Sequence, residues 1–229
     1  LAIVTSLFLI MIPLVCSAES QEASLWVQEA VQGMRENNLA DEQVFNNYQK
    51  NITRAEFCMM AIRMTEKVKG TVTIQNGEDV FSDIAENRYQ DDIIKAYRLG
   101  VVSGVGNGKF APDAEITREQ IAVMVLKTIQ AIYPEENYTA SFDRTFVDYE
   151  EISNWARNAI KYSYENNIMS GVKPNEIGPQ QKATSENCCR QNKCGGRQRV
   201  GPGSRMKART MWFALISPGW TALTPVMGL

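Results

Sequence analysis

Two arginines occupy positions that helix physics does not favour. Arg54 and Arg118 each follow a threonine that opens an apolar helical pattern, in Ile52-Thr53-Arg54-Ala55-Glu56 and Ile116-Thr117-Arg118-Glu119-Gln120. Thr53 with Glu56, and Thr117 with Gln120, have capping-box spacing: the hydroxyl accepts an amide of the first turn, and the side chain three residues on returns to the cap's own amide. The first helical position that follows suits an acid or a proline, because the helix dipole is positive there. A cation at that point needs another reason. One chemistry that fits is capture of a carboxylate or phosphate by the guanidinium together with free amides of the helix start. A salt bridge from each arginine to Asp83 or Asp148 accounts for the same charge, and both readings stand at this level.

Composition narrows the other chemistries. There is no histidine in the 229 residues, which removes the commonest general base and metal ligand and weighs against an enzyme. The adjacent pairs Asp91-Asp92 and Glu150-Glu151 point to different sides of a helix and make poor glycosidase pairs. Of the five cysteines, Cys16 lies in the apolar start, Cys58 in a helical pattern as a small buried hydrophobe, and Cys188, Cys189 and Cys194 crowd the tail. No disulfide framework or zinc spacing emerges. Gly104, Gly106 and Gly108 superficially suggest a phosphate loop, but no strand precedes them and no Lys-Ser or Lys-Thr follows. Turn geometry closed by Pro112 explains them. The expectation is therefore no catalytic residue, no metal and no cofactor.

The elements that position the arginines form a repeat. The second copy runs Phe81-Ser82-Asp83, Tyr89, then Ile93, Ile94 and Tyr97 at helical spacing, Leu99 to Gly104, the loop Gly106 to Pro112, and the Thr117 box opening a second helix to about Ile132. The third copy repeats it with Phe146-Val147-Asp148, Trp155, Ile160, Ile168 to Gly171 and Ala183-Thr184-Ser185-Glu186. The first is eroded, but Trp26, Ala30, Val31 and Met34 recover its first helix. Thr53 to Thr117 is 64 residues, Thr117 to Thr184 is 67, and Phe81 to Phe146 is 65. Apolar stripes Phe57, Ala61, Met64, Val68 and Ile121, Val125, Ile129, Ile132 are expected in the core.

An F-x-D start, a glycine loop with F-x-P and an I-T-R-A-E helix opening together resemble the S-layer homology family, over roughly Ser24 to Glu186. The resemblance implies a mainly α protein, its tandem helix-loop-helix repeats in a pseudo-threefold arrangement. It also implies grooves between repeats that bind secondary cell-wall polysaccharide, often with pyruvylated sugars whose carboxylate meets the arginine. By that analogy Arg54 and Arg118 are anion contacts, and Asp83 and Asp148 are acceptors for sugar hydroxyls or partners of the arginines. Trp155 is a groove wall or sugar platform, and Trp26 and Tyr89 hold the corresponding aromatic position; core packing explains each aromatic equally well. The partners implied are this polymer or another peptidoglycan-linked one, and other surface-layer proteins, with no nucleic acid. Rival readings are the anchor region of a wall-active glycan hydrolase and a protein-protein scaffold of the surface layer.

The expected organisation is a secretory signal at 1–18, repeats at 24–70, 81–133 and 146–187, and an irregular tail at 188–229. Leu1 to Val15 is apolar and uncharged, with Cys16-Ser17-Ala18 as the cleavage region; a retained anchor and a lipidated Cys16 are the alternatives. No membrane span is expected in the mature chain, which is read as secreted and held at the cell wall. From Cys188 onward there are seven Lys or Arg and no acid, leaving 17 basic against 26 acidic residues before it, a net of −9. That tail reads as a basic disordered arm, a weak membrane segment or out-of-frame translation. The third copy breaks off in mid-motif, with Ser185 in the arginine's place and Asn187 closing no box, and this favours the last.

Overall fold

The computed structural model describes residues 28–73, 80–140 and 146–185. The expected leader at 1–18, Trp26, Asn187 and the tail at 188–229 lie outside them. The described residues are helical, with isolated bridges in place of strands. The α-helices are α1 (Gln28–Glu36), α2 (Glu42–Phe45), α3 (Arg54–Lys69), α4 (Gln90–Arg98), α5 (Arg118–Ile132) and α6 (Arg157–Glu165). None is long and apolar enough to cross a membrane.

Both capping boxes form. Thr53 accepts the Glu56 amide while Glu56 accepts that of Thr53, and Thr117 and Gln120 exchange the same two bonds. Each cap stabilises its helix by about 1 kcal/mol. The helices they open are central: Phe57, Cys58, Met59, Met60, Ala61 and Ile62 are buried in succession along α3, as are Met124, Val125 and Leu126 along α5. A helix apolar all round needs cover on every side. The shorter helices supply it, α4 packing on α3 and α6 on α5, so the first helix of each copy lies against the second helix of the copy before. Burial at Cys58 pushes its thiol pKa well up and leaves it a small core hydrophobe.

α1, α4 and α6 stop in the same way. Asn38, Gly100 and Asn167 take positive φ, and the next amides, of Leu39, Val101 and Ile168, reach back to the carbonyls of Met34, Ala96 and Ser163. This is the Schellman closure, and its recurrence at Asn38 shows that the eroded first copy keeps the local geometry of the other two. At the centre the three segments that precede the caps meet in a closed ring: Ile52 donates to Ala183, Ala183 to Ile116, and Ile116 to Ile52. That ring is the pseudo-threefold hub, and its residues are almost fully buried. One expected core position is not there. Val68 is 39% exposed, because it lies in the last turn of α3 beyond the packed portion of the helix.

Candidate ligand groove

The arginines at the helix starts reach across to the next copy. Arg54 donates from Nε to the Phe110 carbonyl at 3.0 Å and from Nη2 to the Ser103 carbonyl at 3.3 Å, with its guanidinium 4.7 Å above the Phe110 ring. Arg118 makes the equivalent bonds, from Nε to Ile177 at 2.8 Å and from Nη2 to Ser170. Burial draws the Arg54 pKa below its ordinary value, yet a guanidinium remains cationic in proteins. The charge that opposes the helix dipole is therefore held by carbonyls of the following loop, which a long forked side chain can reach and an acid or proline cannot.

The amides of these helix starts are also engaged, which corrects the expectation that they are free. Arg54 and Ala55 donate to Ala114 and Pro112, and Arg118 and Glu119 donate to Gln181 and Pro179, while the threonine caps take the third amide of each helix. The same docked loop that occupies the arginine consumes the first turn's donors. At the third copy, Ser185 donates from its amide and its hydroxyl to the Lys50 carbonyl of the first copy.

Asp83 and Asp148 direct their carboxylates to backbone amides. Asp83 accepts the amides of Phe110 and Ala111, both at 2.8 Å, and Asp148 those of Ile177 and Gly178. Burial pushes the Asp83 pKa up, but those amides outweigh it and hold the carboxyl below its ordinary value. Each aspartate thus folds the glycine loop back onto its own F-x-D start. The loop is tight. A Cβ on Gly104 would sit 2.6 Å from the Lys109 carbonyl and 2.8 Å from the Phe81 ring, so only glycine fits.

Between these parts lies a groove of about 540 Å³, lined by Arg54, the 100–105 segment, Gln120, Val123, Met124 and Lys127 of α5, and Trp155. Trp155 is 58% exposed, at the rim. Tyr89 is not a groove residue. It is 5% exposed within the core, and burial, with Asp41 nearby, raises its phenol pKa to about 12. Of the site residues expected from sequence, the structure brings Arg54 and Trp155 to one cavity and places Asp83 behind its loop; Arg118 and Asp148 hold the corresponding loop one copy on.

Two residues escaped the sequence reading. Lys127 shares the i, i+3, i+4, i+7 face of α5 with Gln120, Val123 and Met124, opposite the apolar stripe that drew attention. Glu119, 4% exposed, accepts both the amide and the hydroxyl of Ser153 at 3.0 Å, fixing the turn that leads to Trp155. Glu119→Ala strands those donors, and we expect a loss of about 2 kcal/mol in denaturant unfolding. An unchanged midpoint would show that water replaces the carboxylate.

A domain model described as the S-layer homology domain matches residues 80–122 and 145–184. These two segments are S-layer homology domains. Such a domain is an anchoring module, and it places the chain among secreted proteins of the bacterial cell surface and wall. The chain is similar to an amylopullulanase of Thermoanaerobacterium thermosulfurigenes, 29% identical over 69% of this chain and 8% of that protein. It is similar to the exoglucanase XynX of Acetivibrio thermocellus, 27% identical over 69% of this chain and 14% of that protein. A cell surface protein of Thermoanaerobacter kivui is 32% identical over 34% of this chain and 10% of that protein. The chain thus spans a small fraction of these relatives, and likeness to the two enzymes falls on the anchoring region.

Proposed function

We infer that the chain holds a secreted protein noncovalently on the bacterial wall, with an anionic secondary wall polysaccharide seated in the groove between the second and third copies. The observation that carries this reading is the lining of the groove: Arg54 and Lys127 beside an exposed Trp155, and no carboxylate among the lining residues. Tryptophan offers a saccharide an apolar face and a hydrogen-bonding edge, and the two cations suit a pyruvyl carboxylate or a phosphate. The net of −9 before the tail does not oppose this. Exposed charges more than about 8 Å away are largely screened at physiological salt, so local cations decide. Residues 24–70 act as the first S-layer homology copy, on the strength of their shared cap, helix stop and hub bond.

Cosedimentation with purified sacculi tests this reading. The chain should pellet with intact sacculi and stay in solution once hydrofluoric acid has removed the secondary polymer. Retention on stripped sacculi that still carry surface proteins would favour the scaffold reading instead. The similarity to a short part of much longer glycan hydrolases supports one refinement, that the intact protein joins this anchor to a wall-active or polysaccharide-active enzyme.

A further inference from the structure

The junction between the first and second copies has the same backbone frame as the groove, one copy earlier. Asp41 follows the positive-φ stop of α1 as Ser103 follows that of α4. Arg63 stands as far beyond the Thr53 cap as Lys127 does beyond Thr117, and Arg88 stands before α4 as Trp155 stands before α6. The chemistry differs. Asp41 places one carboxylate oxygen 2.6 Å from Arg63 and the other 2.9 Å from Arg88, whose guanidinium also lies over the Tyr89 ring. The aspartate forgoes a local bond to do so: it stands at the N-cap of α2, where this residue type ordinarily accepts an amide, and its side chain makes no cap bond. We propose that Asp41 is an internal anion that fills the place between Arg63 and Arg88 and shuts this junction to dissolved anions. Tethered to one wall, the carboxylate meets both cations at an effective concentration that a dissolved acid must exceed. The side chains of Asp41 and Arg63 are 19% and 24% exposed, so salt screens their pair weakly. The same contact ties the second helix of the first copy to the start of the second copy. This junction lies apart from the groove assigned to the polysaccharide, so either reading can fail and leave the other standing.

Chemical rescue in the full chain tests this. Asp41→Ala removes the carboxylate, and the melting temperature should fall by about 3 °C, the effect of losing two part-exposed ion pairs. Formate should restore most of that fall saturably, relative to chloride at equal ionic strength, while wild type shows no formate-specific shift. Asp41→Asn, which keeps the side chain's bulk without its charge, should melt lower and gain nothing from formate. Asp41→Ala combined with Arg63→Gln and Arg88→Gln should not respond either. A formate shift of equal size in wild type and in Asp41→Ala would overturn the proposal, because the place would then be open with the aspartate present. So would an Asp41→Ala chain that melts lower and ignores formate, because the two arginines would then form no seat for an anion. A second measurement leaves Asp41 in place: Arg63→Gln with Arg88→Gln should bind polymer released from sacculi as wild type does. Weaker binding by that folded pair would show the junction open to the polymer, and the proposal falls.

Discussion

Arg54→Ala should lower stability by about 3 kcal/mol, even though Arg54 sits at a helix start where a cation is electrostatically unfavourable. A hydrogen bond to a charged group is worth about 1.5 to 3 kcal/mol, and a partly desolvated cation–π contact adds about 1 kcal/mol. Arg54 makes two such bonds and one such contact, and the Phe110 carbonyl it satisfies is buried. Desolvation of the guanidinium offsets part of the sum. For a folded unit of this size the change corresponds to a fall of roughly 6 to 12 °C in melting temperature. Arg54→Lys should recover less than half, because a single ammonium cannot span both carbonyls along a fork. A melting curve that does not move would mean that the loop carbonyls of Phe110 and Ser103 find water without the arginine.

Trp155→Ala should behave in the opposite way. The side chain is largely exposed and touches no other ring among the described residues, so unfolding should shift by no more than about 0.5 kcal/mol. Binding to wall polymer should weaken by about 30-fold, the loss of about 2 kcal/mol expected when an aromatic anchor is removed. The two substitutions therefore separate two roles that sequence alone assigns to one site. Loss of stability with Arg54 and loss of affinity with Trp155 is the expected pair. Loss of affinity with Arg54 in a chain that melts normally would show that the arginine serves the ligand and not the loop.

Local chemistry was legible in the sequence where it depends on near neighbours. The capping boxes at Thr53 and Thr117 involve residues three positions apart, and both form. The stripe through Ile121, Val125, Ile129 and Ile132 is buried at every position, and the repeat spacing anticipates the ring joining Ile52, Ile116 and Ala183. Failures arose where a partner comes from another copy. The acceptors of Arg54 lie 49 and 56 residues downstream, and those of Arg118 lie 52 and 59. No local pattern reveals a backbone carbonyl, since every residue carries one. The helix-start amides were misjudged for the same reason.

Aromatic positions show a related limit. Trp155 and Tyr89 look alike in sequence, yet the structure sets them one residue apart: Tyr89 caps α4 and matches buried Ala156 at the start of α6, so Trp155 falls in the place of Arg88, at the rim. Asp41 of the first copy pairs with Arg88, whose guanidinium lies over the Tyr89 ring. Glu119 was invisible as a support because an acid in the first turn of a helix already has a sufficient local explanation in the dipole. Lys127 carries no local sequence signal, and its position on the cavity wall emerges only when the 100–105 segment and Trp155 are brought beside α5.

The most direct measurement is the fluorescence of Trp155 alone, in a chain with Trp26, Trp212 and Trp220 replaced by phenylalanine, as released wall polymer is added. The account predicts that emission shifts saturably and that acrylamide quenching falls, with no response to neutral dextran. Polymer that cosediments with the chain while Trp155 keeps its original emission and quenching would contradict it, because binding would then be occurring away from the groove.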